Sequence, residues 1–306
     1  MSAAAEDEDT MMMCCASCGA AGSDDIKLMK CTACYLVRYC SVKCQKEHRK
    51  QHKKECRRRA AEIRDEILFK QPEGTHFGDC PICCLPLSID LQKSILNSCC
   101  SKRICDGCDL ANKRREEEGR LDHTCPFCRE TLPDTQEEAI ELLIKRVEVN
   151  DPAAMCRMGT VRYDEGDYIA AFEYLTKAAA LGDAEAHYPL SVMYREGQGV
   201  EKDEKREKHH MEEAAIGGHP MARHDIGFKE RLNGRMDRAV KHWIIAAKLG
   251  FDRSLDNVKG GYKVGYVSKE DLAAALRGHH AAIEATKSAQ RKEAAELFEK
   301  ELRAFD

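Results

Sequence analysis

The stretch that decides the fold of the N-terminal region is Tyr39–Cys56, YCSVKCQKEHRKQHKKEC. It contains two pairs of metal-ligand side chains, Cys40 with Cys44 and His52 with Cys56, each separated by three residues. That spacing places both side chains of a pair on one face of a helix. Structural zinc sites take four thiolate or imidazole ligands in a tetrahedron, so each pair can supply half of a site.

Two further cysteine pairs precede this stretch, in the segments CASC and CTAC. They are Cys15 with Cys18 and Cys31 with Cys34. A gap of two residues allows a tight turn to present both thiols to one ion. The eight residues together predict two zinc sites, with Cys14 as an alternative to Cys15.

Residues 15–56 resemble the MYND zinc finger. The resemblance implies an interleaved ligand order, in which one zinc is bound by Cys15, Cys18, Cys40 and Cys44 and the other by Cys31, Cys34, His52 and Cys56. MYND fingers usually have a tryptophan five residues after the sixth ligand, in the face that contacts proline-rich peptides. Here that position is Arg49, so we expect the zinc fold without the usual peptide binding.

The same stretch is strongly basic, with nine lysines and arginines against two acidic residues from Lys43 to Arg59. Such a run suits an acidic partner, a nuclear-import receptor or nucleic acid. It contains no aromatic residue on which a base could stack. We interpret it as the solvated face of the finger's helices. The net charge of −4 likewise predicts no general attraction to nucleic acid, which is therefore not an expected partner.

A second cysteine cluster occupies residues 80–128, in the segments CPIC, SCCS, CDGC and CPFC. Its eight candidate ligands are Cys80, Cys83, Cys99, Cys100, Cys105, Cys108, Cys125 and Cys128. The adjacent pair Cys99 and Cys100 is unusual, because successive side chains of an extended chain point to opposite faces. Both can reach one ion only if the backbone bends sharply between them. His123 is an alternative ligand to Cys99.

The second cluster resembles an all-cysteine RING finger. The resemblance implies a cross-brace, in which Cys80, Cys83, Cys105 and Cys108 bind one zinc and Cys99, Cys100, Cys125 and Cys128 bind the other. It also implies a ubiquitin ligase, whose residues near the zinc loops bind a ubiquitin-conjugating enzyme. Ile82, Pro126 and Arg129 match those contact positions. No catalytic residue is expected, because such a ligase acts by proximity and orientation. The tryptophan frequent between the sixth and seventh ligands is missing.

Both clusters are too short to fold on apolar burial alone, with 42 residues in the first and 49 in the second. Binding of zinc, about 10–16 kcal/mol for a structural site, compensates for this deficit. All four sites have a full set of protein ligands, which indicates structural zinc and not hydrolytic centres. Cys84 and Cys156 are predicted to be small packing residues.

The chain after Asp151 is periodic, with the segments KAAALG, EEAAIGG and IIAAKLG ending at Gly182, Gly218 and Gly250. A period of about 34 residues predicts a helix-turn-helix solenoid. The middle repeat, with YREGQGVEKDEK and AAIGG, resembles the Sel1-like repeat, a relative of the tetratricopeptide repeat. We count three repeats, followed by a degenerate fourth that caps the stack. The repeats span residues 151–182, 183–218 and 219–250. Families with such repeats use the concave face to bind proteins.

The predicted fold is multi-domain: two small zinc-stabilised α+β cross-brace fingers followed by an all-α helical-repeat solenoid. The predicted regions are a disordered acidic leader (1–13), a MYND-type finger (14–57), a helical linker (58–78), a RING-type finger (79–132), Sel1-like repeats with a cap (133–278) and one charged C-terminal helix (279–306). No signal peptide or membrane span is visible. We therefore expect the cytoplasm or nucleus, where thiols stay reduced and cysteine pairs suggest metal binding and not disulfides.

We therefore expect a chain with four zinc ions that acts as a RING-type ubiquitin ligase. Its partners would be a ubiquitin-conjugating enzyme and a protein substrate recruited by the repeats. The alternative is a non-enzymatic scaffold, whose fingers and repeats only bind other proteins.

Overall fold

The structure is a computed structural model that describes residues 14–304. The predicted acidic leader, residues 1–13, lies outside the described residues. The chain divides into two compact units, with the boundary between Lys70 and Gln71. Within the described part, no helix is long and apolar enough to cross a membrane.

The first unit contains a two-stranded antiparallel sheet and one long helix. Strand β1 is Met29–Lys30, strand β2 is Arg38–Tyr39, and helix α1 is Val42–Leu68. Ser41 caps this helix, because its hydroxyl accepts a hydrogen bond from Cys44 N at 3.2 Å. The lysines, arginines and glutamates that follow are good helix formers, and the helix continues to the end of the finger's basic run and beyond.

The second finger lies at the start of the second unit. A 3-10 turn, Leu91–Lys93, leads into the hairpin of β3, Ser94–Asn97, and β4, Lys102–Cys105. Helix α2, Asp106–Gly119, follows directly. Its two first-turn aspartates favour the positive end of the helix dipole. The small core combines buried cysteines with buried Leu87 and Ile104.

Ten further helices form the rest of the second unit. They are α3 (Gln136–Glu148), α4 (Pro152–Asp164), α5 (Tyr168–Ala180), α6 (Ala184–Glu196), α7 (Glu204–Ile216), α8 (Pro220–Leu232), α9 (Met236–Lys248), α10 (Asp252–Lys263), α11 (Lys269–Ala285) and α12 (Ala289–Ala304). Helices α4 to α9 pack as successive antiparallel pairs, as a repeat solenoid does. The predicted fold class, small cysteine-rich fingers followed by an all-α solenoid, is confirmed.

Short polar and small residues set the ends of the repeat helices. Asp151 and Asp183 cap α4 and α6 by accepting backbone N–H bonds. Gly182, at the end of the first repeat, has a φ of 93°, a left-handed conformation that glycine adopts without strain. Gly159 in α4 serves a different purpose: a Cβ there would lie 2.6 Å from Leu175 Cγ, so glycine permits the close packing of α4 on α5.

The C-terminal region differs from the single helix predicted over residues 279–306. Helix α11 continues to Ala285 and α12 begins only at Ala289. The Ser288 hydroxyl accepts a hydrogen bond from Arg291 N at 3.2 Å, which starts a new helix. This break lets α12 pack against α2 of the second finger.

Candidate metal centres

The sixteen predicted zinc ligands come together in four groups of four. In each group the ligand atoms all lie within 4.8 Å of one another. The groups are Cys15, Cys18, Cys40 and Cys44; Cys31, Cys34, His52 and Cys56; Cys80, Cys83, Cys105 and Cys108; and Cys99, Cys100, Cys125 and Cys128. This is the interleaved order that the two family resemblances imply.

The donor spacing in each group fits a tetrahedral zinc ion. Zinc–sulfur bonds of about 2.3 Å place two sulfurs roughly 3.8 Å apart. The Sγ–Sγ distances are 3.6 Å for Cys18–Cys40, 3.8 Å for Cys31–Cys56, 3.8 Å for Cys83–Cys105 and 3.6 Å for Cys100–Cys125. With four soft or imidazole donors and no carboxylate, each group suits zinc as a structural ion.

Four of the five cysteine pairs with a two-residue gap share one turn, whereas Cys105 and Cys108 lie at the start of α2. The residue after the second cysteine donates its N–H to the carbonyl of the first, at 2.8 Å for Cys84 to Cys80 and 3.0 Å for Arg129 to Cys125. That residue is left-handed, with φ of 54° at Cys84, 61° at Arg129 and 57° at Tyr35. The prediction that Cys84 is a packing residue is therefore wrong: it is exposed and closes a turn.

The adjacent cysteines lie in the loop that joins β3 to β4. Asn97 O accepts N–H bonds from Cys100 at 3.3 Å and from Ser101 at 2.8 Å, and Ser101 has a φ of 55°. The backbone therefore turns inside the doublet and does not alternate as a strand would. Both Cys99 and Cys100 then reach the group that contains Cys125.

The alternative ligand His123 lies outside this group. Its Nδ1 is 2.7 Å from a carboxylate oxygen of Glu116, a buried residue that also accepts a bond from Thr124 N at 3.1 Å. Burial opposes ionisation of Glu116, but these bonds, with one from Asn112, lower its pKa below the usual value. His123 thus orients the segment before Cys125 from outside the ligand group.

The thiols of the first group compete for ionisation. Burial of Cys15 opposes ionisation, but N–H groups of Cys18, Cys40 and Ser17 lower its pKa to about 6. The pKa of Cys40 is raised to about 12, because Cys44 and Cys18 are hydrogen-bonded to its thiol. Ionisation of one thiol therefore opposes ionisation of its neighbours. A divalent cation bound to the group stabilises all of the thiolates together.

The three predicted partner-binding residues lie in the two cysteine turns of the second finger. Ile82 is 44% exposed, Arg129 is exposed and Pro126 is half-buried. Phe127, which our sequence reasoning did not select, is a further exposed apolar side chain in the second turn. Its position inside CPFC was a signal that could have identified it.

Arg291 of α12 is a structural residue that the sequence did not reveal. It is 8% exposed, and its guanidinium donates to Pro86 O at 2.6 Å, Leu85 O at 3.1 Å and Cys83 Sγ at 3.3 Å. Gly107, between two ligands, allows this approach, since a Cβ there would lie 2.7 Å from Arg291 N. The last helix therefore holds the first turn of the second finger.

A cleft of about 920 Å³ lies between the second finger and the first two repeats. One wall is the hairpin with Ile95 and Arg103, and the other includes Leu181 and Glu185. Arg103 lies 3.7 Å from the Glu185 carboxylate and stacks over the Phe77 ring at 4.6 Å. Residues of the finger and of the solenoid thus line the same cleft.

Comparison with known proteins agrees with this description of the first finger and of the helical repeats. The MYND finger family matches residues 15–56, and the Sel1 repeat family matches residues 152–183, 184–219 and 233–251. The chain carries a MYND finger and Sel1 repeats. Residues 184–219 and 152–183 agree closely with the first two repeats counted from the sequence.

No curated protein matches the chain. Among solved structures, it is similar to a Sel1 repeat protein from Oxalobacter formigenes, with 22% identity, 60% of this chain and 74% of that chain covered, and a TM-score of 0.42. It is also similar to c5321, a protective antigen of uropathogenic Escherichia coli with an SLR fold. That match has 23% identity, covers 63% of this chain and 43% of the other, and has a TM-score of 0.39.

Proposed function

We propose that this chain is a protein-binding adaptor, in which zinc-stabilised fingers and a Sel1 solenoid form the surfaces that hold other proteins. The cleft of about 920 Å³ between the second finger and the first two repeats is the observation that supports it most. Repeat solenoids bury each repeat only against its neighbours and leave an extended surface for partners. Here a second module adds a wall to that surface.

The chemistry of the cleft suits a protein segment. Ile95 and Leu181 are exposed apolar side chains on opposite walls, and burying them gives a partner an apolar anchor. Arg103 and Glu185 supply charges of both signs, which suits polar groups that flank such an anchor. The mixed lining does not favour a polyanion.

Selection of peptides by display on the zinc-loaded full chain tests this proposal. Leu181→Asp and Ile95→Asp should each weaken binding of the selected peptides at least about tenfold, because they place a charge where an apolar anchor docks. The matched control is Leu232→Asp, since Leu232 is 70% exposed on α8 and Leu181 is 51% exposed. Peptides that bind all three variants equally would show that the cleft is not the binding surface.

Ubiquitin ligase activity is the second candidate, and it rests on the second finger. Its ligand groups have the interleaved order of a RING cross-brace. Ile82 and Phe127 are exposed in its two cysteine turns, and Arg129 is exposed directly after the last cysteine. A ubiquitin-conjugating enzyme needs access to side chains of this kind, so the adaptor could present its bound protein as a substrate.

An autoubiquitination assay with a panel of conjugating enzymes tests the second candidate. Ile82→Ala should lower activity by weakening enzyme docking, with a loss of about 1–3 kcal/mol of apolar contact. Arg129→Ala should slow ubiquitin discharge while zinc content and docking stay unchanged. Leu121→Ala, at an exposed apolar residue of the same finger, is the control. If fully zinc-loaded protein forms no conjugates with any enzyme, the adaptor function stands alone.

A further inference from the structure

The basic run of the first finger separates into faces once it forms a helix. Helix α1 advances 100° per residue, as any α-helix of 3.6 residues per turn does. Its ligands Cys44, His52 and Cys56 lie on one side. Six of the nine basic residues fall within an arc of about 100° on the opposite side. We name these six the basic stripe: Lys43, Lys46, Lys50, Lys53, Lys54 and Arg57.

The stripe is fully presented to solvent. All six side chains are exposed, and within residues 14–304 none of the six forms a salt bridge. Two of the three remaining arginines of the run behave differently, because Arg58 and Arg59 pair with Glu62 and Glu66. The two acidic residues of the run lie outside the arc. From Lys43 to Arg57 the stripe is about 21 Å long at 1.5 Å per residue.

Charge is also segregated along the chain. Residues 14–70 contain fourteen lysines and arginines against seven aspartates and glutamates, although the whole chain has a net charge of −4. The zinc–thiolate centres offset only part of this excess and lie on the other side of α1. The net charge of the whole chain therefore does not describe the charge of this finger. The interpretation of the basic run as only a solvated face needs revision.

We infer that the basic stripe is a binding surface for the phosphate backbone of double-stranded DNA. This inference is independent of the proposed adaptor function. Protein–DNA interfaces are strongly positive, whereas lysine is depleted from protein–protein interfaces. Five of the six residues are lysines, point charges that bind phosphate without a fixed bidentate geometry, which suits contact with a repeating backbone. Without an aromatic residue, the stripe cannot stack single-stranded bases.

The geometry of the helix is compatible with this ligand. An α-helix with side chains is about 10–12 Å across, which the major groove of about 12 Å admits. Duplex DNA has one charge per about 1.7 Å of its axis, so a row of about 21 Å faces many phosphates. The stripe has no planar pair of amide side chains for base edges, and we expect binding without sequence preference.

The test is fluorescence anisotropy of the zinc-loaded full chain with a mixed-sequence duplex of about 20 base pairs, over a salt series. Each phosphate contact contributes about −0.9 to the slope of log affinity against log salt, so a slope near −5 is expected for six contacts. Changing Lys46, Lys50, Lys53 and Arg57 to Gln should reduce the slope by about 3–4 and the affinity at least about 100-fold. These side chains point away from the ligands, so zinc content should not change.

The charge-matched control changes four exposed lysines of the second unit to Gln: Lys202, Lys205, Lys263 and Lys269. Its affinity should stay within about threefold, and a stripe variant with Lys→Arg changes should retain binding. An equal loss in both Gln variants, or none in the stripe variant, would overturn the inference. Binding of polyglutamate, single-stranded DNA or duplex RNA that is tighter than binding of duplex DNA would also overturn the inference. That ligand would then be the better candidate.

Discussion

The two fingers share an interleaved ligand order but differ in ligand spacing, and they place their ligands on different elements. In the first, one long helix supplies Cys44, His52 and Cys56. In the second, a hairpin loop supplies Cys99 and Cys100, the end of β4 supplies Cys105, and the start of α2 and two turns supply the rest. A helix that uses one face for ligands leaves its opposite face free for a regular row of charges, and a loop does not.

The loop-based finger has support from far along the chain. Arg291 of α12 bonds to Leu85 O and Pro86 O beside the first cysteine turn, and Arg103 of β4 pairs with Glu185 of the second repeat. Both fingers bring four donors together at each candidate zinc site, but the residues around these donors differ. We therefore expect the first finger to bind a partner on its own exposed surface. We expect the second finger to line the cleft together with the solenoid.

Removal of zinc should have the largest effect, and should affect both fingers alike. A structural zinc contributes about 10–16 kcal/mol to folding of its site, more than either short segment can supply by burial. Elemental analysis should give about four zinc per chain, and chelation should unfold the fingers while the helical signal of α4–α9 persists. Loss of all helical signal together with zinc would contradict the independence of the solenoid.

Single substitutions sharpen this test at the doublet. Cys99→Ser and Cys100→Ser should each lose one zinc, because both thiols belong to a group of four. His123→Ala and Cys84→Ser should lose none, since neither residue belongs to a group. Loss of zinc from the His123 variant with full retention in the Cys99 variant would reassign the ligand.

Substitution of Arg291 should come next in size and should affect only the second finger. Arg291→Gln leaves the carbonyls of Leu85 and Pro86 without their charged donor, and we expect a loss of about 2–3 kcal/mol in the free energy of unfolding. Gly107→Ala should act in the same direction, because the new Cβ meets the backbone of α12 although α2 itself tolerates alanine. Denaturant unfolding and hydrogen exchange of the amides in residues 80–87 measure both.

The control for Arg291 joins the same two helices at an exposed position. Arg114 in α2 lies 2.7 Å from the Glu293 carboxylate in α12, with both side chains exposed to solvent. Arg114→Gln should cost less than about 1 kcal/mol, as exposed ion pairs do. Equal losses in the Arg114 and Arg291 variants would mean that the contact with the cysteine turn has no special weight.

Sequence reasoning identified what depends on local spacing. Cysteine spacing predicted the ligand pairs, and the family resemblances implied how these pairs combine into four groups. The recurring glycines predicted the ends of the repeat helices. The pair spacing and the glycines are signals that lie within a few residues of their effect. It could not find Arg291, whose contact with Cys83 spans 208 residues. It also missed the turn role of Cys84, because a thiol suggests packing while the backbone conformation of its position is not visible in composition.

A smaller effect, which does not depend on zinc, is expected at Asp151. This residue caps α4, the first repeat helix. Burial raises its pKa, but the bond from Arg146 and the N–H of Ala154 lower it below the usual value. A lowered pKa means that the stabilisation is complete above the unfolded pKa of about 3.9 and is lost as pH falls through the folded pKa. Asp151→Asn keeps a capping oxygen and removes the charge, so it should cost about 1 kcal/mol at pH 7 and progressively less as the pH falls below about 3.9 towards the folded pKa.

Asp167 provides the comparison for Asp151. It caps α5 through Ala170 N at 3.1 Å, and no salt bridge of this residue occurs within the described chain. Asp167→Asn should therefore cost little and show a weaker dependence on pH. The difference between the two variants, measured by thermal unfolding across pH, isolates the Arg146 pair. A pH-independent cost at Asp151 would contradict the charge contribution.

The smallest effect concerns peptide binding by the first finger. Arg49 occupies the position where MYND fingers usually have tryptophan, and it is exposed on α1 outside the basic stripe. We expect no measurable affinity of the native chain for proline-rich peptides, and weak binding by Arg49→Trp, because an aromatic face is what a polyproline helix docks on. Arg58→Trp, on the same helix, is the control for added aromatic surface. Low-micromolar binding by the native chain in a titration would contradict this.

If Arg49→Trp gains binding and Arg58→Trp does not, the peptide groove is intact in the zinc fold. The absence of one aromatic residue is then what prevents this finger from binding proline-rich peptides, while the basic stripe lies beside that position on α1.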